Sequence, residues 1–119
     1  MVGIEKLLVG KELTLSALVV NKKCLIRDFI NNLKDQDKKQ VTNLLKQRAD
    51  RFLIHNEQQF RPLGNEIFEL KTRGGVRILC FWDGQRNLVL THGFFKPAKK
   101  LLKKEKEKAI KWLKEYQDA

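Results

Sequence analysis

Phe68-Glu69-Leu70-Lys71-Thr72-Arg73-Gly74-Gly75-Val76-Arg77-Ile78-Leu79-Cys80-Phe81-Trp82-Asp83-Gly84 reads as two strands joined by a glycine turn. Phe68 and Leu70 alternate with Glu69 and Lys71, the period of a half-buried strand. Gly74-Gly75 provides the positive φ of a tight hairpin. Residues 76–82 are almost wholly apolar, as a central strand covered on both faces should be, and Arg77 interrupts them. Asp83-Gly84 is the next hairpin signal, and a third strand is expected over 88–95. Basic side chains set into such a sheet suggest a surface built to meet phosphate.

On the N-terminal side, residues 55–65 are expected to form a connection, punctuated by Pro62 and Gly64 and carrying Arg61. Before it, Val41, Leu44, Leu45, Ala49, Phe52 and Leu53 make a helical stripe, with Lys46, Arg48 and Arg51 facing elsewhere. Asp37 is the expected N-cap, with Gln40 three residues on as in a capping box. A shorter helix over 24–33 places Ile26, Phe29, Ile30 and Leu33 on one side. The two helices are expected to pair antiparallel and cover one face of the sheet. Residues 13–20 read as the first strand, and Asn21-Lys22-Lys23 as a polar break. Residues 1–11 are weakly patterned and are expected to be a short helical turn or a loose extension, with no role assigned. Beyond the meander, residues 99–116 hold strong helix formers and no Gly or Pro. Leu102, Ala109, Leu113 and Tyr116 make its stripe, with Ile110 and Trp112 beside it, and lysines crowd its other faces. The expected order is strand-helix-helix-strand-strand-strand-helix: a single small α+β domain over 1–119 with a mostly antiparallel sheet.

With 119 residues, 42% of them hydrophobic and 33% charged, the chain can bury one core and is too apolar for disorder. Lys and Arg number 25 against 14 acids, a net charge of +11. A domain this basic usually meets a polyanion, nucleic acid above all, and less often an acidic protein or anionic lipid; the plain alternative is a lysine-rich solvated surface. Two cysteines argue against a disulfide scaffold, and Cys80 reads as a small core residue. With only His55 and His92 besides, no metal-ligand spacing appears, and neither metal nor cofactor is expected. Leu7-Leu8-Val9 is too short for a secretory h-region, and no stretch is long enough to span a membrane. A cytoplasmic protein without a membrane partner is expected.

The series Pro62-Leu63-Gly64, Ile67-Phe68-Glu69-Leu70-Lys71, Val76-Arg77-Ile78-Leu79 and Leu90-Thr91-His92-Gly93-Phe94-Phe95-Lys96 resembles the RelE/HigB superfamily of bacterial type II toxins, in particular the phage-derived, HigB-like branch. The similarity runs from about Leu18 to Tyr116. The resemblance implies a RelE-like fold and a ribosome-dependent mRNA endonuclease. Such an enzyme cuts by attack of the RNA 2′-hydroxyl on its adjacent phosphate, without a metal. It also implies a cognate antitoxin, commonly a helix-turn-helix DNA-binding protein. Position by position, Lys71 falls where a strand lysine or arginine contributes to cleavage, and Arg77 where an arginine holds the scissile phosphate. Lys96 falls near a basic residue after the last strand, and Arg73 near a further basic position. The chain departs from the branch at Pro97, which replaces the second of paired lysines. It departs again at Leu101-Leu102, which stand where Thr-Pro usually starts the helix.

That chemistry sets requirements. The 2′-hydroxyl must lose a proton, the pentacoordinate phosphorus species needs its extra negative charge stabilised, and the 5′-oxygen must leave with a proton. Arginine suits the charge, because its planar fork matches two phosphate oxygens. A lysine serves as base only where neighbouring cations or burial lower its pKa. Arg77 is the strongest candidate, since an unpaired charge in an apolar strand is costly. Lys71, Lys96 and His92 complete the catalytic candidates; His92 reads more readily as a hydrogen-bonded structural histidine. Arg61, Arg73, Lys99 and Lys100 are candidate RNA contacts. Trp82 and Phe94 are candidates for stacking on a base, or else core aromatics. Two other functions stay open: a non-catalytic toxin on the same scaffold that inhibits gyrase, and a basic nucleic-acid-binding protein that has lost toxicity.

Overall fold

A computed structural model describes residues 1–50 and 59–119. Seven strands and three helices follow in the order β1 (Val2–Val9), β2 (Thr14–Val20), β3 (Lys23–Cys24), α1 (Leu25–Asn31), α2 (Asp35–Asp50), β4 (Phe60–Gly64), β5 (Ile67–Lys71), β6 (Val76–Trp82), β7 (Asn87–Phe95) and α3 (Lys99–Gln117). One sheet runs β1-β2-β7-β6-β5-β4, and β3 adds a short rung to β2. Every neighbouring pair is antiparallel except β2 and β7, whose parallel register runs from Thr14 beside Asn87 to Ala17 beside Leu90. This is a small α+β fold with a mostly antiparallel sheet, consistent with a RelE-like fold. Among the described residues, no helix is long and apolar enough to cross a membrane.

Both sheet faces are covered. On one, Ile26 of α1 and Val41, Leu44, Leu45 and Ala49 of α2 meet Leu70, Ile78, Cys80, Leu88 and Leu90. On the other, Ala109 and Leu113 of α3 meet Ile67, Leu79, Phe81 and Val89, with Ile110, Trp112 and Tyr116 packed alongside. β6 alternates between these two cores, so its nearly continuous apolar run is what two buried faces require. Leu102, expected in the α3 stripe, is only half-buried, and Leu101 stands exposed.

Several expectations change. Residues 2–9 are neither a helical turn nor a loose extension but an edge strand, paired from Val2 opposite Val20 to Val9 opposite Thr14. The register shifts between Lys6 and Leu8. Val2 and Ile4 therefore serve the α3 core while Leu7 and Leu8 serve the opposite one, and that switch of face erased the period-2 signal. The connection expected over 55–65 contains β4, so the meander has four strands. Pro62 is tolerated because β4 is a sheet edge and its register shifts between Pro62 and Gly64. The polar break at Asn21-Lys22 is a two-residue turn with φ of 50° and 69°, the pattern of a type I′ hairpin. Helix α2 starts at Asp35, ahead of the expected Asp37 cap, so Asp37 adds negative charge inside the first turn. Arg48, expected to face solvent, is buried, with its guanidinium carbon 4.4 Å from the centre of the Phe60 ring. Burial holds its pKa below the usual arginine range, and the cation–π contact offsets part of that cost. Arg51, Phe52, Leu53 and His55 lie outside the described residues.

Candidate functional site

The β5–β6 turn builds the centre of the site. Thr72 N donates to Val76 O at 3.0 Å, and Val76 N donates to the Thr72 hydroxyl at 3.1 Å. Gly75 takes φ +95°, a conformation that a side chain would strain. With the turn fixed, Lys71 stands directly opposite Arg77, and Arg77 directly opposite Phe94. The next row carries Arg61, Glu69, Leu79 and His92 across β4, β5, β6 and β7. Partners in register share a face, and Leu79 and Phe94 belong to the α3 core. Lys71, Arg77 and Arg61 thus converge on the face that α3 covers.

At the middle of these cations lies Glu69, fully buried. Arg61 Nε donates to its Oε1 at 2.9 Å, and Arg77 Nε stands 3.9 Å from its Oε2. That second separation is an ion pair beyond hydrogen-bond reach, and Oε2 has no hydrogen-bond partner among the described residues. Arg77 is therefore attracted to the carboxylate but keeps its donor pairs unspent on it. The alternation of 68–71 places Glu69 on a polar face; in the fold that face is the underside of α3. An acid between Phe68 and Leu70, within reach of arginines on both neighbouring strands, was the signal that could have marked it.

Lys96 donates its backbone N–H to Gly75 O at 2.7 Å, which ties the end of β7 to the same turn, and its side chain is exposed. Arg73 sits exposed on the turn itself. Lys99 and Lys100 open α3, three residues beyond Lys96 in sequence, and both are exposed. The first turn of α3 holds no acid and Ala98 offers no side-chain cap, so these lysines add to the positive end of the helix dipole. Pro97 and Leu101-Leu102 leave the helix itself in place.

His92 is buried and held at both nitrogens: Nε2 lies 2.8 Å from Glu105 Oε2, and Nδ1 lies 2.9 Å from the Thr91 hydroxyl. Trp112 meets its ring edge-on at 5.0 Å between centroids, and Phe94 lies at 5.5 Å. Burial pushes its pKa below the ordinary 6.5, against the pull of Glu105. In the neutral ring Nε2–H donates to Glu105 and Nδ1 accepts the Thr91 proton. In the charged ring Nδ1–H donates, and the hydroxyl turns to Leu79 O, 3.0 Å away. His92 thereby clamps α3 to the sheet.

Trp82 is not brought to the cluster. It packs on the α1/α2 core, on the opposite face, edge-on to Phe60 at 6.4 Å. It also lies five residues beyond Arg77 along β6, about 16 Å at strand rise. Phe94, half-buried and opposite Arg77, is the aromatic side chain that does join the cations.

This mixed sheet with its flanking helices is a small α+β fold consistent with the RelE-like class. The model of the phage-derived protein Gp49-like family matches residues 28–114, from α1 through nearly all of α3. The chain belongs to that family, which is a RelE/HigB-like toxin family. β1, β2 and β3 lie outside the matched span. No curated protein matches the chain.

Proposed function

We propose that this protein is the toxin of a type II toxin–antitoxin pair, of the HigB-like branch, and a ribosome-dependent mRNA endonuclease acting in the cytoplasm as one domain over residues 1–119. The observation that carries the reading is the cross-strand register of Lys71 and Arg77, with Phe94 next in the row. Two cations fixed side by side on rigid strands suit a dianionic phosphorus transition state, since they need no reorganisation when charge develops. Arg77 holds the scissile phosphate. Lys71, half-buried beside it, serves the proton transfers, and Lys96 adds a third cation at the turn. Phe94 stacks on a base beside the cut. Arg61, Arg73, Lys99 and Lys100 track the backbone. His92, engaged at both nitrogens, contributes by holding α3 rather than by exchanging protons with RNA. The reaction needs a 2′-hydroxyl, so DNA is inert. An antitoxin with a helix-turn-helix fold shields the cationic face or keeps the toxin off the ribosome.

Expression of the chain without an antitoxin is expected to arrest growth and to create new 5′ ends inside translated mRNA by primer extension. Arg77→Ala is expected to abolish both, with cleavage on purified ribosomes falling by about 100-fold or more. Arrest with intact transcripts and broken chromosomal DNA would instead mark a gyrase poison. No arrest would mark a nucleic-acid-binding protein without toxicity.

A further inference from the structure

A second feature touches the cluster through Lys71. A cleft of about 350 Å³ lies between α2 and the end of β5, lined by Gln40, Asn43, Leu44, Gln47, Gln59, Lys71, Thr72 and Arg73. Pockets for small ligands start at about this size. Among the described residues, four carboxamides and one hydroxyl line it with two cations, and no carboxylate does. Gln40, Asn43 and Gln47 follow one another at three and four residues along α2, so the helix period brings them to one side. Gln40 Oε1 accepts the Gly74 N–H at 2.9 Å, which locks the helix to the β5–β6 turn. The other two amides are exposed, and neither is in a hydrogen bond among the described residues. Elsewhere on this helix the exposed positions hold Asp35, Gln36, Lys39, Thr42 and Lys46.

Carboxamides carry a donor and an acceptor side by side. That arrangement matches the edge of a nucleobase, and it discriminates among bases in a way that a lysine cannot. The guanidinium of Arg73 at the other wall suits the phosphate of the same nucleotide. We propose that the α2–β5 cleft is a nucleotide-binding subsite in which Asn43 and Gln47 read a base by its hydrogen-bonding edge while Arg73 holds its phosphate, with Lys71 bordering the cleft from the end of β5. The proposal rests on the RNA-cleaving reading: Lys71 belongs both to the cleavage row and to the cleft, so a base seated there is a neighbour of the cut and sets sequence preference.

The test is binding first and cleavage second. The four nucleoside 5′-monophosphates are titrated separately into the ¹⁵N-labelled full chain, with inorganic phosphate as a fifth titrant. The side-chain amide signals of Asn43 and Gln47 are expected to shift, with one base giving an apparent affinity at least about threefold above another. N43A/Q47A is expected to equalise the four. Lys46→Ala, on the same helix but outside the cleft, is expected to keep the difference. Equal shifts for all four nucleotides and for phosphate would reduce the cleft to an anion site, and absent shifts would remove it; either overturns the proposal. In mapped cleavage products, N43A/Q47A is expected to flatten the base preference around the 5′ ends. An unchanged preference beside active cleavage overturns the subsite and leaves the nuclease standing. No cleavage by the unmodified chain overturns the nuclease, and the binding titration still decides the subsite.

Discussion

Glu69 is the buried acid that balances the charge of the cationic row. A carboxylate with no solvent exposure carries a desolvation cost that only its partners offset. Arg61 supplies one full hydrogen bond, and Arg77 supplies attraction without one. The imbalance has a consequence: Arg61 is anchored by its hydrogen bond, whereas Arg77 makes none to Glu69, which is what the proposed hold on a phosphate requires. Glu69→Gln keeps the shape and removes the charge. It is expected to lower stability by about 1–3 kcal/mol, read by urea denaturation. R61Q alone should cost less, because Arg61 is about 42% exposed on its side chain and water screens it. The double variant E69Q/R61Q is expected to be less destabilised than the sum of the singles, since the two residues share one interaction. Arg77→Lys is a sharper probe of chemistry. A lysine keeps the charge but loses the planar fork, so binding of RNA should survive while ribosome-dependent cleavage falls. Equal loss from Lys and Ala at residue 77 would show that charge alone is not what the position provides; full activity of the Lys variant would refute a role for the fork.

Helix α3 works against itself at its start and is secured further along. Lys99 and Lys100 face the positive end of the dipole. The His92–Glu105 contact, and Tyr116 Oη donating to Asp83 Oδ2 at 2.7 Å, pin it to β7 and to the β6–β7 turn. Surface charge kept where it destabilises a helix is easier to understand if it serves a polyanion. K99E/K100E is therefore expected to raise the melting temperature slightly and to weaken RNA binding. The slope of log affinity against log salt should become shallower by roughly one to two. Higher stability with unchanged RNA affinity would remove these lysines from the RNA face. Strand β7 shows the opposite economy at Gly93. A Cβ there would run into the ring of Phe29 on α1, which in turn packs on Phe95 at 5.9 Å. Gly93→Ala is expected to destabilise by about 1–3 kcal/mol through overpacking, measured by denaturation, with Phe29→Ala in the same chain relieving part of the clash. The glycine in the His-Gly-Phe motif is thus a packing requirement of the α1 side, not a turn.

At the scale of the molecule, the two groups of the His92–Glu105 contact both make the docking of α3 acid-sensitive. Burial holds the pKa of His92 below 6.5, so the unfolded chain binds the proton more readily. Its contribution to stability is present above that pH and is lost as pH falls through the interval below it. For Glu105, burial alone would raise the pKa, but Lys108 at 2.9 Å and His92 outweigh it and hold it below 4.5. A depressed carboxylate contributes above its ordinary value and loses that contribution as pH falls. Both signs agree. The melting temperature is expected to drop steadily from pH 7 to pH 4, and H92Q is expected to flatten the upper part of that curve. A melting temperature independent of pH over this range would contradict the clamp.

How much of this was legible beforehand differs between elements. The hairpin around Gly74-Gly75, the α1 and α2 stripes and the last helix follow from local period and turn chemistry, because those signals act over a few residues. The pairing of Lys71 with Arg77 was not read in advance; the register of the folded hairpin supplies it. β1 and β4 were not legible. Each is an edge strand interrupted by a register shift, and each is recruited by ladder hydrogen bonds to its antiparallel neighbour rather than by its own pattern. The faces were misjudged where polarity was taken for exposure: Arg48 is buried under an aromatic ring and Glu69 beneath α3. Periodicity assigns parity along a strand, yet it does not say what will lie over either side. That was decided by the parallel contact of β2 with β7, which joins segments some seventy positions apart, and by α3 folding back across the meander. By itself the sequence determined the class of fold, the elements near its turns and the cationic residue types. Only the tertiary structure chose which of them share a face, because neighbours across a sheet are set by long-range pairing that no local stretch encodes.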